Sequence, residues 1–428
     1  MNAKSTDSGL ARRLGLTATT LTGVGVILGA GIYVLVGVAA GEAGNAVWLS
    51  FVLAAIGAAF TGFSYARLSK LRPKDAPEFQ YVGMAFGPLP AFLAGWLILW
   101  AVTISAAAVA LGFAGYLQHW FGVPYLSAAI CLILFSSLVV FLGIGQSAVL
   151  AGVLTIVEAA GLLIIIGIGL PHLGNVNVLE MSHGLPGVLG AASLVFFAYL
   201  GFEGMANLSE EMKDPERDLP RAIILALGIS TILYVLVSIA AVSVLGWSNL
   251  SQSSAPLAAV AAGALGARAE LLLTYIALAS TGNTVLLLLL AASRAMWAMS
   301  CAGALPMNFC VIGKNRRTPW FTIIVVGLLA SLFASIRNVA SVAEFTNFAT
   351  LLAFAAVNAS AFKLFRHRFS NRRSKHIVLD IVAPLLGVVV SLALAVNTGW
   401  LPVLFGAFLI GAGIFFYTLM GLVRRNRS

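Results

Sequence analysis

Residues 22–44 read TGVGVILGAGIYVLVGVAAGEAG, an apolar stretch long enough to cross a bilayer, with glycines at 23, 25, 29, 31 and 37. A helix can sit in lipid because its backbone N–H and C=O groups pair with one another. Glycines clustered near its middle weaken that order. Gly25 and Gly29 have the GxxxG spacing of close helix packing, which is the plain structural reading of such residues. The Gly25-x-x-x-Gly29-x-Gly31 pattern has no soluble strand before it, so a dinucleotide-binding loop is excluded. The other reading is a break in mid-membrane, where freed amides and carbonyls can hold the polar groups of a ligand.

Residues 196–211, FFAYLGFEGMANLSEE, carry a second signal of the same kind, with Gly201 and Gly204 on either side of Glu203. An ionisable side chain inside a membrane helix costs about 2.5–3.5 kcal/mol on an insertion scale, so it calls for a partner, a proton or a function.

The whole chain agrees with a membrane setting. Of its 428 residues 60% are hydrophobic and 9% charged, against about 25% charged in soluble domains, and the mean hydropathy is +1.00. This excludes a secreted disulfide scaffold, a nucleic-acid-binding domain and an ordinary cytosolic enzyme. Apolar segments of spanning length fall at about 16–41, 46–69, 86–117, 123–143, 147–170, 186–209, 221–246, 267–302, 319–336, 340–364, 378–396 and 401–422. With the N-terminus inside, every Lys and Arg except Arg268, Arg294 and Arg337 falls in a cytoplasmic segment, as the positive-inside rule requires. The expected fold is therefore an all-α polytopic membrane protein with twelve transmembrane helices and both termini cytoplasmic.

The two glycine-broken segments open two five-helix blocks. Five is odd, so the second block starts from the opposite face, which gives a five-plus-five inverted repeat with broken helices 1 and 6 and a site near the midplane. The units are a cytoplasmic segment 1–15, a first repeat 16–170, a second repeat 171–364, and an inner loop with helices 11 and 12 over 365–428. The N-terminus reads as a retained first helix, not a signal peptide. Basic inner loops face the lipid surface.

Glu158 in LTIVEAAG admits two readings, coupling to a proton or ion and a paired structural carboxyl. Glu344 reads as an entrance or packing residue, Glu42 and Glu270 as outer-end residues, and Arg294 as a structural or gate residue near the inner end of helix 8. Cys131, Cys301 and Cys310 are far apart without a CxxC pair and read as apolar filler. His119, His172, His183, His367 and His376 lie in or near loops, so no metal or other cofactor is expected.

Four segments carry a resemblance: GVGVILGAGIY at 23–33, SYARLSKLRPKDAPEFQYV at 64–82, FFAYLGFEGMANLSEEMKDPERDLPRAI at 196–223 and ALPMNFCVIGKNRRTPW at 304–320. Over nearly its whole length the chain resembles the amino acid-polyamine-organocation superfamily, specifically its bacterial amino acid permeases near the cationic amino acid transporter branch. The resemblance implies that amides around Gly29, Ala30 and Gly31 take a substrate carboxylate. It implies that carbonyls of Ile27, Phe197, Ala198 and Leu200 take the ammonium, with Phe202 as a gate. Ser280 and Thr281 fall where distant relatives bind sodium. Glu158 stands where many relatives have Lys, and helix 3 lacks the Glu of relatives specialised for cationic substrates. YAEL becomes Tyr65, Ala66, Arg67, Leu68, so inner-gate ion pairs should differ.

Taken together, these readings point to a secondary active transporter in the cytoplasmic membrane. It would move a small neutral amino acid or related amine by proton-coupled symport and alternating access; coupling or gating would fall to Glu158, Glu203, Ser280, Thr281 and Arg294. Exchange and a non-transporting sensor are the alternatives. Partners are the small-molecule substrate, a proton and membrane lipid, with no nucleic acid, and the sequence does not fix an oligomeric state.

Overall fold

The computed structural model describes residues 14–71, 77–143, 148–210, 212–313, 316, 318–370 and 378–425, and the regular elements among them are helical. Helices α1 (Leu16–Leu28) and α2 (Gly31–Ala43) form one interrupted run, followed by α3 (Val47–Leu68). Helix α4 (Pro77–Phe86) turns at Gly87 into α5 (Pro88–Phe121), and α6 (Tyr125–Phe141) and α7 (Ala148–Gly169) follow. Helix α8 (Gly184–Val195) passes into tighter 3₁₀ segments at Phe196–Tyr199 and Phe202–Glu210. Then come α9 (Pro215–Ser251), α10 (Pro256–Leu265), α11 (Ala267–Cys301), α12 (Trp320–Ala334), α13 (Val339–Ser370), α14 (Ala383–Asn397) and α15 (Trp400–Arg425).

Among the described residues nine helical runs are long and apolar enough to cross a membrane, and four further apolar helices are shorter. The chain is a multi-pass helical membrane protein. Helix α1 counts as short only because two residues separate it from α2. Helix α10 is a separate short piece between α9 and α11, where the sequence suggested only an outer connection; ten residues rise about 15 Å, half a bilayer core.

Helix α5 is the axis of the bundle. Its 34 residues rise about 51 Å, more than the hydrocarbon core of about 30 Å, so it tilts or extends beyond that core. It packs against α2, α4, α6, α11, α12, α13 and α15. Lipid tails are as apolar as leucine, so helices in a bilayer hold together by close van der Waals fit, and small residues allow that fit. Ala106, Ala107, Ala108, Ala110, Gly112, Ala114 and Gly115 of α5 are all buried. A Cβ at Gly112 would overlap the Val34 side chain on α2.

Two polar contacts fasten the ends of the bundle. Asn45 Nδ2 donates to Glu180 Oε2 at 2.7 Å, and the Ala46 amide donates to the Glu180 carbonyl at 3.0 Å, laying the 173–183 connection over the α2–α3 junction. Arg67 pairs with Asp380 at the start of the α14 segment, and its guanidinium lies 5.4 Å from the Phe365 ring. This is the ion pair that the change from YAEL to Tyr65-Ala66-Arg67-Leu68 makes possible. The expectation for the cysteines needs correction. Cys301 and Cys310 are joined as a disulfide with Cα atoms 5.0 Å apart, because the chain after α11 folds back: the Ala304 amide donates to the Met299 carbonyl at 2.8 Å. Cys131 is free and exposed.

Gly112→Val should lower stability by about 1–3 kcal/mol, the usual cost of overpacking a close contact. The check is the apparent melting temperature of the protein in detergent. Gly152→Ala, on α7 with nothing near its added Cβ, should leave that temperature unchanged.

Candidate functional site

The first helical run stops at Leu28, and α2 starts at Gly31. The other break lies between Phe196–Tyr199 and Phe202–Glu210, where Leu200 is extended and Gly201 has φ 115°. That φ is in the region only glycine enters readily. The two breaks touch. A Cβ on Gly31 would stand 2.5 Å from the Ala198 Cα, and one on Gly201 would stand 2.7 Å from a Val26 methyl.

Breaking a helix in lipid leaves carbonyls and amides without partners. Side chains from elsewhere supply them. The Tyr234 hydroxyl on α9 lies 2.7 Å from the Ile27 carbonyl and 3.0 Å from the Ala198 carbonyl, so one phenol serves both breaks. Asn347 on α13 donates through Nδ2 to the Ser193 and Leu194 carbonyls at 2.7 and 2.9 Å, which covers the end of α8. The Gly201 amide donates to Glu203 Oε2 at 2.8 Å. Glu203 is therefore held by the break it follows.

A cavity of about 60 Å³ lies between the breaks, lined by Val26, Ile27, Gly29, Ala30, Gly31, Ser105, Val109, Phe197, Ala198, Leu200, Thr284 and Leu288. No charged side chain is in that wall. Val26 in the wall is half exposed, whereas Ile32, Tyr33 and Leu35 of α2 are buried. The amide end of α2 meets the carbonyl ends of α1 and α8 across this space. Helix ends carry partial charges of opposite sign, so the arrangement favours an anionic group near Gly31 and a cationic group near the carbonyl ends of α1 and α8.

Of the residues singled out from the sequence, Ile27, Gly29, Ala30, Gly31, Phe197, Ala198 and Leu200 come together in this wall. Phe202 does not. It is fully buried in an aromatic group with Tyr65 and Phe354, at ring-centre distances of 6.1 and 5.5 Å. Glu158 is buried on α7, 3% exposed, and its backbone carbonyl accepts a bond from the Tyr33 hydroxyl at 2.7 Å. Ser280 Oγ on α11 faces the Glu158 carboxyl but makes no bond of good geometry. Thr281 Oγ1 is spent on the Ala277 carbonyl at 2.6 Å. Arg294 is exposed near the end of α11, away from the cavity wall. No group of three His, Cys, Asp or Glu side chains that could hold a metal occurs among the described residues.

Reading the sequence alone missed Tyr234, Asn347, Ser105, Val109, Thr284 and Leu288. Tyr234 sits in an ordinary apolar span and gives no local sign. Asn347, a polar amide within SVAEFTNFATLLAF, could have been found by the same cost argument that picked out Glu203.

Comparison with known proteins places the chain in a family. The family model for amino acid permeases matches residues 14–423. A methylthioribose transporter of Bacillus subtilis is 31% identical over 90% of this chain and 88% of its own. A branched-chain amino acid permease of the same organism is 28% identical over 94% and 91%. A vacuolar cationic amino acid transporter of Arabidopsis thaliana is 32% identical over 81% of this chain and 62% of its own.

Gly31→Ala should prevent the two breaks from seating, because the obstacle is the backbone of Ala198, which cannot rotate away. The expected result is folded protein less stable by about 1–3 kcal/mol and without ligand binding. Thermal shift and equilibrium dialysis of the solubilised variant check it, with Gly228→Ala, which meets nothing within 4 Å, as the control.

Proposed function

The chain belongs to the amino acid permease family, an amino acid transporter and not an enzyme, and from that premise we propose that it is a proton-coupled symporter of a small neutral amino acid. One observation carries this reading: a cavity between the amide end of α2 and the carbonyl ends of α1 and α8, with no charged side chain in its wall. A zwitterion fits such a space at both ends. The lining has no acid to pair with a cationic side chain, so lysine and arginine are disfavoured. Of the relatives' names, the Bacillus branched-chain amino acid permease is in line with a neutral amino acid, and the Arabidopsis cationic amino acid transporter is not.

The carrier reading includes twelve spans, a five-plus-five inverted repeat, cytoplasmic termini and residence in the cell's inner membrane. It is supported by the matched positions of the two breaks and by the distribution of Lys and Arg. Transport by alternating access is part of this reading, with Phe197 in the wall and the cluster of Phe202, Tyr65 and Phe354 as its apolar gate.

The coupling proton is assigned to Glu158. It is buried on α7 with Ser280 of α11 beside its carboxyl, so its charge state bears on how α7 packs against α11. Glu203 is held by the Gly201 amide and is less suited to exchange a proton. A one-unit pH gradient is worth about 1.4 kcal/mol per proton, enough for about tenfold accumulation. Exchange without net uptake is the second reading, and sodium in place of the proton is a third outcome, favoured only by the free hydroxyl of Ser280.

Uptake into sealed vesicles tests these readings. L-Alanine, L-leucine and other neutral amino acids should compete more strongly than L-arginine; tenfold stronger competition by arginine would reject the neutral-substrate assignment. Glu158→Gln should keep affinity within about twofold while reducing proton-driven accumulation about tenfold, since an amide keeps the shape but carries no exchangeable proton. Undiminished accumulation in that variant excludes Glu158, and a strict sodium requirement in the wild type replaces the proton.

A further inference from the structure

Helix α4 reads PEFQYVGMAF, and its buried face holds Glu78, Tyr81, Val82 and Ala85. That spacing of i, i+3, i+4 and i+7 is the apolar stripe of an amphipathic helix, with a carboxyl group in the place of an apolar side chain. Glu78 is 6% exposed. Its Oε1 accepts a hydrogen bond from the Tyr65 hydroxyl on α3 at 2.7 Å. Burial pushes the Glu78 carboxyl up, and the Tyr65 hydroxyl draws it partly back. Arg67, on the same helix as Tyr65, is committed to Asp380.

The Tyr65 ring stands edge-on to three others: Tyr81 on α4 at 6.1 Å, Phe202 at 6.1 Å and Phe354 on α13 at 5.6 Å. Edge-to-face pairs have a preferred geometry, so the orientation of one ring constrains its neighbours. Phe202 opens the 3₁₀ segment directly after the break at Gly201. Glu203 follows it, close enough to act electrostatically on both Tyr65 and Glu78. A single hydrogen bond thus joins α4 to the ring against which Phe202, the first residue of 202–210, packs.

We propose that Glu78 is a positioning residue of the transport cycle: through the Tyr65 hydroxyl it ties α4 to the aromatic cluster beneath the second break and sets the surface on which 202–210 moves. The role rests on the carrier reading above, because a surface for movement matters only if the cavity alternates. Glu78 touches neither the cavity wall nor the groups assigned to the proton. The bond needs an acceptor at this place and not a charge.

The test uses the full chain in nanodiscs and in vesicles, as wild type, Glu78→Gln, Glu78→Ala, Tyr65→Phe and the Tyr65→Phe/Glu78→Ala double variant. Amide hydrogen exchange over 77–86 and 202–210 needs no ligand. Initial uptake of radiolabelled L-leucine gives maximal rate and half-saturation. Glu78→Ala and Tyr65→Phe should each raise exchange in both segments and lower the maximal rate about tenfold, with half-saturation within about twofold. Glu78→Gln, which keeps the acceptor, should stay within about twofold of wild type, and the double variant should be no worse than either single one. Wild-type exchange at 202–210 in Glu78→Ala overturns the proposal. So do additive losses in the double variant, or a Glu78→Gln as impaired as Glu78→Ala. If the wild type takes up no leucine, the leucine-carrier reading fails, and the exchange data still decide the role of Glu78.

Discussion

A backbone that leaves helical geometry inside a bilayer must find new hydrogen-bond partners, and this requirement organises the molecule. Water cannot supply them in the hydrocarbon core, where each orphan group costs several kcal/mol. The two breaks meet the requirement jointly. They press together at Gly31 and Ala198, and Tyr234 stands within hydrogen-bonding distance of a carbonyl from each. Asn347 covers the end of α8. The cavity is what remains between two chain breaks that support one another, so its shape is tied to α9 and α13 as much as to the segments that line it.

The surroundings divide into a firm part and a less enclosed part. Helix α5 runs through the bundle with its small residues buried, and α2 is buried over most of its length. Helix α1 shares the same run of sequence but exposes Leu21 and Val26. Its main neighbours are α9 and α7. The other face of α1 is buried, with Gly23 against Met205 and Gly25 against Thr155. Phe202, at the start of 202–210, packs against Tyr65 and Phe354.

Charge is kept out of the cavity wall and placed behind it. Glu158 lies against Tyr33 and Ser280, Glu203 against the Gly201 amide, and Glu78 against Tyr65. None of the three lines the cavity. Under the proposed mechanism a carboxyl in each of these places would act on a helix and not on the ligand directly, which would separate the selection of substrate from the response to protons. The arrangement follows from elementary electrostatics. A full charge in a small, dry cavity would dominate every contact there, whereas helix ends offer partial charges suited to both ends of a zwitterion.

The sequence by itself determined the helical membrane class, because sixty per cent hydrophobic residues in long runs leave no other way to satisfy the backbone. It also located both breaks, since glycines at 29, 31, 201 and 204 are local signals, and Glu203 and Glu158 stand out by the cost of burying a carboxyl. What it could not give was the far end of each contact. Tyr234 is 207 residues from Ile27 and Asn347 is 154 from Ser193, and nothing near either residue in the chain announces those pairings. Glu78 was hidden for another reason: it sits at the edge of a polar run, and only the packing of α4 on α3 shows that its face is buried. Phe202 was placed in the gate by its position after a break, but its ring belongs to a cluster whose other members come from α3, α4 and α13. Cys301 and Cys310 meet because the chain reverses after α11. Local composition fixes where a helix forms or fails; which groups satisfy the failure depends on helices brought together by close packing.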